Sequence, residues 1–349
     1  MRRLARTALE ALLRTTGILL YRTRLHHAVL WAARRRVRVL CYHASEEAED
    51  DWIAGLGCNT PPSLLRSHLA FLRRHYAVVS LQQLESGALP DRAVMITFDD
   101  GYRSVYRVAF ALLRAHGLAA VVYLVTDTVG NRAVVWVNEL NWFLRRHGAI
   151  ARQVATERLG LPAGASISSI LDAARVRYDT TVVTSLLSEL RSRTGTVAEA
   201  LAAEANLYVT WDQVREMAEH GISFGNHTAA HPNMARLTES TQLEQMQLGR
   251  QALLSRGLSC TSLACPFGIA TQATGRLATQ LGHRSVMELG GGNQRLDLLH
   301  IGRLLPRATT DAALFAELEI VAPVFSLLRS LRSRTASLAG LRHESRAGY

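Results

Sequence analysis

The sequence predicts an α/β protein built from parallel strands joined by crossover helices, and three observations carry that reading. From residue 37 onward short apolar runs alternate with amphipathic segments, the pattern of strands buried on both faces and the helices that cover them. Several amphipathic segments end on a glycine, at Gly117, Gly221, Gly257 and Gly282, where a helix can close in the left-handed conformation. With 349 residues and 48% hydrophobic composition, the chain can bury one large core.

Taken in order, strands are expected at 37–42, 77–80, 93–98, 119–125, 222–225, 262–265 and 284–287. Helices are expected at 62–75, 103–116, 211–220, 238–256 and 271–281. Residues 131–206 break the rhythm, being helix-like and punctuated by Gly160, Pro162 and Gly164. They read as a helical insertion of the kind that sits at loop ends and can cover a site. The expected division is a basic helical extension at 1–36, the main domain at 37–310 and a basic helical tail at 311–349.

The charge lies at the ends. All 40 basic residues counted as Lys+Arg are arginines, against 29 acids. Residues 1–38 carry ten of them with a single acid, Glu10, and from Arg329 onward there are five more, accompanied by leucines that include Leu327, Leu331, Leu338 and Leu341. Such segments attract polyanions, so contact with an anionic membrane surface is the expectation for these ends, while solvated helices packed on the domain edge are the plainer alternative. Nucleic acid is disfavoured, because neither interleaved aromatics nor a nucleic-acid module accompanies the arginines. The apolar stretch 15–21 is short for a secretory signal, and no run approaches the length of a membrane span. A cytoplasmic location, or one peripheral to the inner membrane, is expected. Cys41, Cys58, Cys260 and Cys265 lack paired zinc spacing and read as reduced packing residues.

Two segments carry chemistry. Ala93-Val-Met-Ile-Thr-Phe-Asp-Asp-Gly-Tyr102 is an apolar strand that delivers two adjacent carboxylates into a loop. Asp-Gly by itself is a common turn dipeptide, which accounts for Asp100-Gly101 but not for the pair poised at the strand end where α/β enzymes keep their sites. Gly225-Asn-His-Thr-Ala-Ala-His231 follows another expected strand. Two histidines four apart can share one cation, and with Asp100 they make a plausible site for Zn²⁺, Co²⁺, Fe²⁺ or Mn²⁺ that leaves coordination positions open.

Thr97-Phe-Asp-Asp-Gly-Tyr102 and His227-Thr-Ala-Ala-His231 resemble the first two motifs of the polysaccharide deacetylases of carbohydrate esterase family four, the NodB-homology domain. Trp211-Asp-Gln-Val-Arg-Glu-Met217 extends the agreement, and Pro266-Phe-Gly268 is similar to the third motif. The resemblance implies a distorted (β/α)7 barrel and a metal-dependent hydrolase that removes N-acetyl groups from a GlcNAc-type polysaccharide or glycoconjugate, releasing acetate. It implies that Asp100, His227 and His231 hold a divalent ion (zinc, alternatively cobalt, iron, nickel or manganese) and that Asp99 is the general base. The backbone N–H of Phe267 would face the oxyanion. For the catalytic acid two histidines compete. Val37-Arg-Val-Leu-Cys-Tyr-His43 looks like the acid-bearing segment of the poly-N-acetylglucosamine deacetylase branch, and Leu298-Leu-His300 has the form of the motif used elsewhere in the family. His43 is favoured, because the helix and strand expected after it also resemble that branch.

One departure stands out. Many relatives carry an arginine before the third-motif proline that tethers the catalytic aspartate, whereas this chain has Ala264-Cys265-Pro266. The loss supports another reading, a non-catalytic carbohydrate-binding or membrane-associated member, while an amidase acting on a non-sugar substrate stays open because its metal chemistry would be identical. Trp136, Asn138, Asn141 and Trp142 could wall a sugar site, although an amphipathic helix packing its tryptophans on the core is the more economical account.

Overall fold

The computed structural model describes residues 2–177, 179–293 and 296–338, so the end of the expected basic tail, with Leu341, lies outside the described residues. Eight strands form one sheet: β1 (Arg38–Tyr42), β2 (Ala77–Val78), β3 (Ala93–Phe98), β4 (Val121–Leu124), β5 (Ser223–Asn226), β6 (Ser262–Ala264), β7 (Ser285–Leu289) and β8 (Ile301–Arg303). Seven of them run in the order β1-β3-β4-β5-β6-β7-β8, every pair parallel, with β2 attached to β3. The ring closes where Leu304 meets β1, its N–H donating to Val39 O and its carbonyl accepting from Cys41 N, both at 2.8 Å. The result is a seven-stranded parallel barrel with helices around it, as the resemblance implied.

Seven strands were expected, but not these seven. The expected strand at 77–80 is β2, two residues long and off the barrel path, whereas the closing strand β8 was not anticipated. Ile301-Gly-Arg303 is too short for any periodicity and carries a glycine and an arginine, so nothing local marks it as a strand. Its neighbours impose the conformation through the pairing of Met287, Glu288 and Leu289 with Ile301, Gly302 and Arg303.

Side-chain alternation sorts each strand into two layers. Val37 and Val39, Ala93 and Met95, Val121 and Tyr123, with Ala264, Met287 and Ile301, fill the barrel interior. Leu40 and Tyr42, Val94, Ile96 and Phe98, with Val122 and Leu124, face the surrounding helices. The same alternation puts Cys41 and His43 of one strand end, and Thr97 and Asp99 of the next, on the interior side at the C-terminal rim.

Residues between β4 and β5 are helical as expected, with helices at Trp136–Arg146, Gly148–Arg158, Ile167–Arg177, Thr180–Thr194 and Ala198–Ala205. Two helices, α1 (Arg2–Arg22) and α2 (His26–Ala32), precede β1. They are fastened to the body, so the N-terminal arginines are not all a solvated face. Gly17 lies so close to Ala316 that a Cβ there would come within 2.5 Å of the Ala316 Cβ. Arg14 pairs with Glu317 at 2.6 Å. Buried Glu319 accepts from Arg38 Nε and Nη2 and from the Tyr76 hydroxyl, all at 2.8 Å, and also pairs with Arg36. Three of the ten arginines therefore neutralise two buried carboxylates instead of facing outward.

Candidate active site

The strand ends deliver the expected residues to one cleft of about 90 Å³, lined by Asp99, Asp100, His227, His231 and His43. Asp100 and His231 both adopt the left-handed conformation, at φ 66° and 59°, as do Thr228 at 67° and Phe267 at 57°. Non-glycine residues visit that region rarely, and four of them around one cleft mark backbone held in place by its surroundings to aim particular groups. The Asn226 and Thr228 side chains do part of the holding, accepting from Thr228 N at 2.9 Å and from His231 N at 3.1 Å.

Asp100 Oδ1 lies 3.4 Å from His227 Nε2 and 3.3 Å from His231 Nε2. It is buried, yet it is not aligned as a hydrogen-bond acceptor with any described residue. A buried carboxylate oxygen without a donor costs free energy unless a cation supplies the missing contact, and all three ligand atoms lie within 4.8 Å of one another. The donor set fits a divalent ion. His227 Nδ1 lies 2.8 Å from the Ala264 carbonyl. An N–H donated there leaves Nε2 as the lone pair facing the cleft, which is the tautomer a metal ligand needs. Burial lowers His231 to about 4, keeping it neutral. Burial also disfavours the His227 cation, but Asp99 and Asp100 outweigh it and raise its pKa. In the absence of a cation, a proton is what those carboxylates attract.

Asp99 sits beside this set, with its Oδ2 3.7 Å from His227 Nε2. Its partner was not foreseen. Arg303, at the end of β8 and 1% exposed, grips it with two contacts of 2.6 Å, Nη1 to Oδ1 and Nη2 to Oδ2. Burial alone would raise the Asp99 pKa, but the Arg303 charge, with His227, holds the carboxyl well below the usual range. The arginine that Ala264-Cys265-Pro266 lacks is thus supplied from two strands further along the barrel. Its only sequence signal was a lone arginine inside the apolar run from Leu298 to Leu305. Thr97 Oγ1, 3.2 Å from Arg303 Nη1, and Tyr123, whose ring lies 5.5 Å below the guanidinium carbon, complete the socket. Cys41, read as a packing residue, is buried and free as expected, but its Sγ also donates to Asp99 Oδ2 at 3.4 Å.

His43 lines the cleft, its ring within 4.8 Å of Asp99 and its Nδ1 buried without a partner among the described residues. His300 is elsewhere. It precedes β8, is 55% exposed and bonds Glu288 at 2.8 Å. Phe267 packs edge-on to His231 at 4.6 Å and to Trp136 at 5.7 Å, so the third motif does border the cleft. Of the four residues weighed as a sugar wall, only Trp136 adjoins the site, its indole N–H donating to His231 O at 3.0 Å. Asn138 and Asn141 are buried and bond the 51–54 backbone, and Trp142 stacks on Trp52 at 5.1 Å. The insertion contributes Arg175 and Val137 to the cleft lining.

A parallel barrel thus gathers a carboxylate and two imidazoles able to hold a cation, with a second, arginine-held carboxylate beside them, at its C-terminal rim. Comparison with known proteins gives the family. The polysaccharide deacetylase family model matches residues 86–286, more than half of the chain, and the chain belongs to that family. Over 119 residues it is 32% identical to the poly-beta-1,6-N-acetyl-D-glucosamine N-deacetylase of Escherichia coli K12, a match spanning 32% of this chain and 17% of that protein. Among solved structures it is similar to the deacetylase PplD of Streptococcus pyogenes, at 18% identity and TM-score 0.53, over 81% of this chain and 98% of that one. IcaB from Ammonifex degensii is similar at 20% identity and TM-score 0.53, over 81% and 97%. At these identities the structural likenesses speak to the fold.

Proposed function

We propose that the chain hydrolyses the acetamide of a GlcNAc-type polysaccharide or glycoconjugate, releasing acetate and leaving a free amine. The observation that carries this reading is the convergence of Asp100 Oδ1 and two imidazole nitrogens on one point beside an arginine-held carboxylate. The choice of sugar rests on the Escherichia coli relative, which acts on poly-β-1,6-N-acetyl-D-glucosamine by name.

Asp100, His227 and His231 would hold the ion, zinc first among the candidates. When bound, it supplies Lewis acidity toward the acetamide carbonyl and toward water. Asp99 accepts the proton of the attacking water. Its basicity is low in the grip of Arg303, so a large part of its contribution is to orient that water. Phe267 N–H faces the oxygen that gains charge as water adds to the carbonyl carbon. As the carbon–nitrogen bond breaks, the nitrogen takes a proton from His43, whose ring lies within 4.8 Å of the base in the same cleft.

The deciding experiment measures acetate release from GlcNAc oligomers, peptidoglycan fragments and lipid-linked GlcNAc. It is run with and without chelator, and with zinc, cobalt, nickel, iron or manganese restored. Activity on at least one of these that a chelator removes and a metal restores is expected. Metal-replete protein that releases no acetate from any of them would sink the proposal.

A further inference from the structure

We infer that the α1–α2 pair is a docking face for an anionic lipid surface, on which the protein lies without crossing it. Of the eleven large apolar side chains exposed among the described residues, four fall within the first 31 residues: Leu12 at 63%, Leu19 at 61%, Leu25 at 56% and Trp31 at 67%. Leu12 and Leu19 are two helical turns apart and share a stripe, with Ala8, Ala11, Thr15 and Thr16 exposed around them. That stripe holds no charge: Glu10 and Arg14 lie on the opposite side of the helix, where they pair with each other at 2.9 Å and Arg14 continues to Glu317. Gly17 against Ala316 and the Arg14–Glu317 pair keep α1 seated on its other side, so the outward face is formed in advance.

Exposed arginines follow the apolar stripe along the chain, at the end of α1 and on either side of α2. Arg22, Arg24 and Arg35 are exposed and have no acidic partner among the described residues. Arg34 lies over Trp31, its guanidinium carbon 4.7 Å from the ring centroid, and is 3.4 Å from Asp91. Exposed leucines and a tryptophan beside arginines match the layering of a lipid interface, apolar side chains reaching the acyl boundary while guanidinium groups meet phosphate. No described helix is long and apolar enough to cross a membrane. A second copy of this chain is the poorer occupant, since a two-fold contact would set these arginines against one another. This inference is independent of the catalytic reading.

The test is flotation of the full chain with vesicles of phosphatidylglycerol and phosphatidylcholine, against phosphatidylcholine alone. Wild type is expected to float with the anionic vesicles only, and less so as salt rises. Each charge near an anionic surface changes partitioning about fivefold. The double variant Leu12→Glu/Leu19→Glu should therefore bind about 25-fold more weakly from the added charge alone, and Arg22→Gln/Arg24→Gln/Arg35→Gln about 100-fold more weakly. Unchanged circular dichroism and thermal midpoint show that the variants fold. Equal binding to neutral vesicles, or variants that float like wild type, would overturn the inference. So would a wild type that never floats but forms a dimer dissolved by Leu12→Glu/Leu19→Glu.

Discussion

Asp99 and Asp100 are neighbours in the chain and opposites in their surroundings. Asp99 is held by a buried guanidinium, whereas Asp100 presents an oxygen to two imidazoles and to no donor. Asp99→Asn should therefore retain bound metal and lose turnover by about two to four orders of magnitude, the usual worth of a general base. Asp100→Asn and His227→Ala should lose both. Metal content per chain and acetate release distinguish the two outcomes, and full activity in metal-replete Asp99→Asn would remove the base from its role. Arg303 is the second lever. Arg303→Met leaves the Asp99 charge buried without a partner, which should cost about 3–5 kcal/mol in chemical denaturation. Arg303→Lys keeps the charge and loses the two-pronged geometry. Because Arg303 holds the Asp99 pKa low, loosening its grip lets that pKa rise, and the acid limb of kcat/KM should move to higher pH.

At the scale of elements, the strand that aims His227 depends on a neutral histidine. Asn226, the last residue of β5, lies 3.3 Å from His283 Nε2 through its amide nitrogen, while its oxygen accepts from Thr228 N. Burial, with Arg250 nearby, pushes His283 from 6.5 down to about 4. The folded protein thus binds fewer protons than the unfolded chain between those values, so stability is present above pH 6.5 and is lost as pH falls toward 4. The interval is worth about 3 kcal/mol. His283→Gln, which cannot take the proton, should flatten the fall in denaturation free energy between pH 7 and 5. An unchanged slope would assign that fall to other groups. The α1 helix has its own point of dependence in Gly17. Gly17→Val places atoms inside Ala316, backbone included, and should undock α1, read as faster proteolysis and hydrogen exchange confined to the first two helices.

For the whole molecule, an ion bound only by the folded state adds stability by mass action. Zinc or cobalt at a hundred times its dissociation constant should add about 2.7 kcal/mol, seen as a rise in thermal midpoint that Asp100→Asn abolishes. Integrity also depends on Glu319, which ties Arg36 and Arg38 at the entry to β1, Tyr76 ahead of β2 and its own helical segment into one buried cluster. These contacts join residues more than 240 positions apart, so the two ends of the chain hold one another against the barrel.

What the sequence determined by itself was what period and motif can carry. Continuous apolar runs foretold the parallel strands, glycine stops foretold the helix ends, and the two motifs named Asp99, Asp100, His227 and His231, because each motif is contiguous and follows a strand. Tertiary structure decided the remainder, since it depends on residues that meet only when the barrel closes. β8 has too few residues to show a period, and Arg303 becomes the partner of Asp99 through a pairing with β7 that no local pattern encodes. The arginine-rich N-terminus divides in the same way. Composition showed an excess of positive charge, but only folding showed which arginines neutralise Glu317 and Glu319 inside and which remain exposed outside.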